Sequence, residues 1–323
     1  MKKFAMAAVA AAALSAGVAQ AYTSGTFSNG FVVPNVIHNG PTDTTAVGIV
    51  NRGAVPTAVF WTFFDQDSAH VTDGCVFLTA GDYEPFVWSA RAGTGVEGKR
   101  GYLVFAAHNT AATATGCPNS ASPANIDGSI SGNAFQVNTA ASDVAFLPVI
   151  DGPLTFHPNL TDVTIQGPDS VVKVEGAAYV DPNNATPVNQ EFFLRYFVDG
   201  QAGGNDTSVV IWSTGSHKKT QVVNIFDDKQ NRKSVNLELV KEELDIVDPE
   251  KIVGRPGDFT DGFIHWITDG STLKADPVPA GSAAAHTPPA AIAANAGSIY
   301  AYSVISSPAF GAVQTVLGAH NQR

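Results

Sequence analysis

Cysteine is scarce in this 323-residue chain: only Cys75 and Cys117 occur, which limits any cross-link to one bridge and excludes Cys-rich zinc and redox spacings. Positive charge is also scarce. Eighteen Lys and Arg stand against 29 Asp and Glu, a formal net charge of −11. Such a chain has no positive field with which to neutralise phosphates, which argues against nucleic acid and anionic lipid as partners. Long apolar runs are missing beyond the first 21 residues, so no helical membrane span is expected there. Catalytic signatures are missing too. There is no H-x-H or H-E-x-x-H pair, no phosphate loop, no dinucleotide fingerprint and no G-x-S-x-G elbow, the serines of GSISG (128–132) falling in the wrong register. Adjacent acids such as Glu242 and Glu243 share a turn, whereas glycoside hydrolysis needs two carboxylates facing each other across a cleft.

What is present begins with a leader. Residues 1–21 combine Lys2 and Lys3, an Ala-rich apolar run and small residues at Ala19 and Ala21, the pattern of a secretory signal peptide. The expected mature chain starts at Tyr22, and its expected location is secreted, periplasmic or on the outer cell surface. In an oxidising compartment, Cys75 and Cys117 are expected to pair.

The remainder reads as two copies of one β-unit. TAVGIVNRG (45–53) lies over TSVVIWSTG (207–215) at an offset of 162, and the same offset carries Phe64 and Asp65 onto Phe226 and Asp227. GYLVF from Gly101 meets GFIHW from Gly262 at 161. Short β-branched and aromatic runs bounded by Gly, Pro and Asn predict strands, giving an all-β chain with little helix. The expected domains are 22–155 and 156–323, melting separately, with Phe64 and Phe226 as equivalent core positions. AVFWTFF (58–64) is apolar on both alternating faces, as expected of a strand packed on both sides or lying under a loop. LELVKEELDIV (237–247) predicts strand, turn, strand. The small polar stretches 109–141 and 276–297 predict long loops, and 152–190 a structured connection.

This grammar resembles the immunoglobulin-like and fibronectin-like sandwiches of exported bacterial surface proteins, although the paired cysteines and core Trp of antibody domains do not appear in the expected order. The resemblance implies two tandem antiparallel sandwiches and carries over no functional residue.

Three local features remain. Asp65, Asp67 and Asp73 are a candidate Ca²⁺ site, Ca²⁺ being the one candidate cofactor, with a self-bonded acidic turn as the alternative. His38, His70 and His108 would matter for chemistry only if the fold gathered them. The four Trp lie in apolar strand patterns and are expected in the core, while Tyr83, Tyr300 and Tyr302 are candidates for a carbohydrate platform. The expected function is a non-catalytic extracellular structural or adhesive protein of a surface layer, matrix or fibre, with self-assembly or a surface glycan as partner. The alternatives are a carbohydrate or small-ligand module built from end loops, and an enzyme whose residues gather only in the fold.

Overall fold

A computed structural model describes residues 25–93, 95–109, 116–140, 142–180, 190–201, 203–268, 273, 297–307 and 312–322. The leader and most of 276–297 lie outside these residues. Among the described residues the chain is all-β, with one short helix, α1 (Trp88–Arg91), and a few 3-10 turns. In the first half the strands are β1 (Gly30–Ile37), β2 (Asp43–Asn51), β3 (Thr57–Asp65), β4 (His70–Leu78), β5 (Tyr83–Val87), β6 (Arg100–Asn109), β7 (Ile130–Asn138), β8 (Asp143–Leu147) and β9 (Ile150–Asp151). A connection carries β10 (Leu154–Phe156), β11 (Val171–Val174) and β12 (Ala178–Val180). The second half has β13 (Gln190–Phe197), β14 (Asp206–Ser213), β15 (Lys219–Asp227), β16 (Arg232–Leu239), β17 (Leu244–Val247), β18 (Asp261–Thr268), β19 (Gly297–Ser307), β20 (Ala312–Leu317) and β21 (Ala319–Gln322).

The strand order recurs. Sheet I runs β5-β2-β7-β8 and sheet II runs β4-β3-β6-β1-β9; sheet III runs β17-β14-β19, with β12 and β20 on the far edge, and sheet IV runs β16-β15-β18-β13-β21. Within these sheets all strand pairs are antiparallel. The recurrence extends to single residues. Asp65 lies opposite Gly101 as Asp227 lies opposite Gly262, and in each half the glycine leaves room for the carbonyl of the preceding phenylalanine, Phe64 or Phe226. Thr45 accepts the Ile37 N–H at 3.0 Å, and Thr207 accepts the Phe197 N–H at 2.9 Å.

Three apolar cores result. One, between sheets I and II, includes Phe31, Trp61, Phe63, Trp88 and Phe105; a second, between III and IV, includes Phe192, Ile211, Ile225 and Trp266. The third lies between the halves. It joins Val32, Phe60, Phe64, Tyr102 and Val104 on the outward side of sheet II to Val210, Trp212, Leu244, Tyr300 and Tyr302 on the outward side of sheet III. The connection seals its edge with Leu154, Leu160, Val163, Val171 and Val174. β20 of the second half lies against β8, the edge strand of sheet I.

Several sequence expectations change at this point. The stretch 109–141 is not one long loop, because β7 crosses it as a central strand of sheet I. Its apolar signal is weak since Phe31 from sheet II fills the space beside Gly132, so β7 needs little bulk of its own. Phe64 and Phe226 do occupy corresponding strand positions, but only Phe64 is buried, at 1% exposure, whereas Phe226 is half-buried. Neither points into the interior of its own half. The division at 155/156 falls inside β10. The third core draws on both halves, so they share buried apolar surface.

Candidate functional site

The acidic turn between β3 and β4 is built by its own carboxylate. Asp65 Oδ1 accepts the N–H groups of Asp67 at 3.0 Å and Ala69 at 3.1 Å, its Oδ2 meets Lys99 at 3.3 Å, and Ser68 takes the left-handed conformation at φ 59°. The turn between β15 and β16 repeats this. Asp227 accepts the N–H groups of Lys229 at 2.9 Å and Asn231 at 2.7 Å, with Gln230 at φ 68°. Burial pushes the Asp227 carboxyl up, but the Asn231 side chain and these N–H groups outweigh it and hold the group below the usual carboxylate range. Asp67 pairs with Lys241 and Asp73 with His70 at 3.1 Å. Among the described residues no three His, Cys, Asp or Glu side chains gather as a metal site. His38 and His70 sit at the Gly101 end of sheet II, whereas His108 lies opposite Ala58 at the other end, so the three do not converge.

The polar groups that do converge lie at the junction of the halves. The Tyr102 hydroxyl donates to Glu243 at 3.0 Å, the Glu243 N–H donates to Ser68 Oγ at 3.3 Å, and Lys241 pairs with Asp67. Burial raises the Tyr300 and Tyr302 hydroxyls well above the usual phenol value, so both stay protonated. Beside them, Ser213 Oγ lies 2.8 Å from His217 Nδ1, and His217 Nε2 lies 3.2 Å from Asp245. The order serine, histidine, carboxylate is that of a nucleophilic relay. The environment is not: Ser213 and His217 are fully buried, and the Ser213 hydroxyl is held by the Gly215 carbonyl. Asp245 also accepts the Lys241 N–H at 3.0 Å, so the cluster fastens turn 213–217 to turn 241–245. Asn51, the counterpart of Ser213, does the same work alone, donating to the carbonyls of Val55 at 3.1 Å and Thr79 at 2.9 Å. Sequence reading missed this cluster because its members lie in separate turns with no motif spacing.

Cys75 and Cys117 are joined in a disulfide across 42 residues. Cys75 and Phe77 border the junction core, and the bridged loop places Ala121 and Ile126 within it. Ala121 also ties to the connection, its N–H donating to Asp162 at 3.0 Å and its carbonyl accepting from Val163 at 2.9 Å. The bridge therefore anchors to β4 the segment that follows Cys117, a lid on the edge of the junction core.

The two remaining sheet faces look outward. Sheet I presents Tyr83 at 58% exposure, Val144 at 59%, Phe146 at 40% and Phe135 at 39%. Sheet IV presents Val222 at 69%, Ile267 at 38% and Phe193 at 36%, beside the stacked rings of Phe226 and Phe263. The four Trp are buried, as are Tyr300 and Tyr302; of the three tyrosines considered for a platform, Tyr83 is the exposed one. No helix among the described residues is long and apolar enough to cross a membrane. No family model matches the chain, and neither a curated protein nor a solved structure matches it.

Proposed function

We propose that the chain is two copies of one immunoglobulin-like sandwich joined into a stiff four-layer block, and that it acts outside the cell as a non-catalytic structural or adhesive component. The observation that carries this reading is the junction core, in which two whole sheet faces are shared between the halves and sealed by the connection and the disulfide loop. A block so joined resists bending between its halves, which suits a building element, whereas tandem domains with small polar interfaces swing. The buried polar groups support the same reading, since the most enzyme-like cluster fastens turns and has a non-catalytic counterpart in Asn51.

Fractionation of producing cells, with protease shaving of intact cells, tests the proposal. The expected result is a chain beginning at Tyr22 in the surface or matrix fraction; a cytoplasmic chain with its leader intact would overturn it. Exposed Tyr83, Phe135 and Phe146 on one sheet face favour a second reading, a carbohydrate platform, because sugar rings stack on such side chains. Specific retention on a glycan array, lost in Tyr83→Ala, would decide for it.

A further inference from the structure

The junction pairs two kinds of face, and each kind occurs a second time in the molecule without a cover. Sheet IV corresponds to sheet II: Phe193, Val222, Phe226, Phe263, His265 and Ile267 occupy the register positions of Val32, Phe60, Phe64, Tyr102, Val104 and Ala106. The first-half residues are all buried in the junction core, while their counterparts are half-buried or exposed. Sheet I corresponds to sheet III in register: Val50, Tyr83 and Pro85 stand where Trp212, Leu244 and Ile246 contact that core, and the smaller Gly48, Ser131 and Asn133 stand where Val210, Tyr300 and Tyr302 do. An aromatic row continues across sheet IV, with the Phe226 and Phe263 rings 4.6 Å apart and the Phe193 ring 4.7 Å from His265.

We propose that copies of this chain stack head to tail, sheet IV of one on sheet I of the next, repeating between molecules the junction already present within each. The proposal deepens the structural reading above and rests on it. The occupant is a second copy because the molecule already shows what this kind of face receives: the other kind.

Charge supports the pairing. Inside the molecule, Asp67 in the β3–β4 turn meets Lys241 in the β16–β17 turn. In the corresponding turns of the outer faces Lys229 takes the place of Asp67, while Ala80 takes that of Lys241 and Asp82 that of Glu243, so the sheet I turn offers Lys229 of the next copy an acid. Sheet I, the smaller partner, has four strands; at a spacing of about 4.8 Å and a length of about eight residues they give a face of roughly 500 Å² per partner, or about 1,000 Å² in total, the threshold for a specific interface. Association should therefore be reversible and driven by concentration. Because the two contacting faces differ, the contact does not close on itself and growth continues beyond a dimer.

Sedimentation of the mature chain over a concentration series, with electron microscopy of the concentrated sample, tests this. The wild type should grow past the mass of two chains without a plateau. Val222→Glu and Tyr83→Glu each place a charge on one outer face at positions whose counterparts, Phe60 and Leu244, are buried in the junction. Each variant alone should stay monomeric, and an equimolar mixture should form a dimer and stop, because one sound face of each kind remains on different molecules. A wild type that is monomeric at near-millimolar concentration overturns the proposal. So does a wild type that stops at a dimer, or a variant that still assembles. If either substitution lowers the melting temperature, Lys229→Glu and Asp82→Lys provide the alternative pair: each should weaken assembly alone, and mixing them should restore it. Failure here leaves the surface-fraction result intact, so the two readings fail separately.

Discussion

β3 and β15 hold the same place in the two halves and differ in what covers them. β3 is buried at eight of its nine positions, whereas β15 alternates, with Gln221, Val223, Ile225 and Asp227 turned inward and Val222 and Phe226 outward. The difference does not lie in the sheets, which share strand order and register. It lies in the neighbour: sheet III covers the outward side of β3, while the outward side of β15 faces solvent. The burial of a residue here is thus set by its half's position in the stack as well as by its place in the strand.

Substitutions at matched positions sharpen this contrast. The largest effect is expected for Phe64→Ala, which empties a filled junction site and should cost about 3–5 kcal/mol. Phe226→Ala, at a half-exposed site, should cost about 1 kcal/mol. Denaturant melts of the two variants check this, and equal losses would remove the contrast. Replacing Cys75 and Cys117 together by Ala should cost at most about 4 kcal/mol in the chain-entropy model and should loosen the lid before the sandwiches, seen as faster amide exchange near Ala121. Tyr102→Phe removes the hydroxyl that donates to buried Glu243 and should cost about 1–3 kcal/mol. Its counterpart Phe263 already lacks a hydroxyl, so Phe263→Tyr should leave stability almost unchanged.

The smallest effect concerns the paired turns and depends on pH. Because the folded Asp227 carboxyl titrates below its ordinary value of 3.8, its contribution is complete above that value and is lost as pH falls through the depressed one. Asp227→Asn should therefore lower stability at neutral pH, and its difference from the wild type should fade as pH falls below the ordinary carboxylate range. Melts at neutral and acid pH measure this directly; a difference that is constant with pH would contradict it.

Much of this was legible in the residues. The doubly apolar AVFWTFF (58–64) was legible as a strand packed on both sides or lying under a loop, whereas the open outer side of β15 was not, since Val222 and Phe226 on that side are apolar and Phe226 reads as a core position. The offset of 162 gave the correspondence of Asp65 with Asp227, down to the bonds that close each turn. The cover itself was not legible. Trp212, Leu244 and Tyr302 come from three strands of one sheet, and nothing local in any of them says that their shared outward side meets the first half. β7 was hidden because Phe31 supplies the bulk that its own small residues lack. Ser213, His217 and Asp245 escaped because buried polar clusters assemble by topology and leave no spacing to read.

Oxidative footprinting of the dilute protein by hydroxyl radicals, read by mass spectrometry at matched residues, tests the covered-and-open arrangement most directly. Phe193, Phe226 and Phe263 should be modified rapidly while Phe64, Tyr102 and Trp212 are protected. Equal modification of Phe64 and Phe226, or of Tyr102 and Phe263, would mean that the second half does not sit on sheet II, and the stacked arrangement would be wrong.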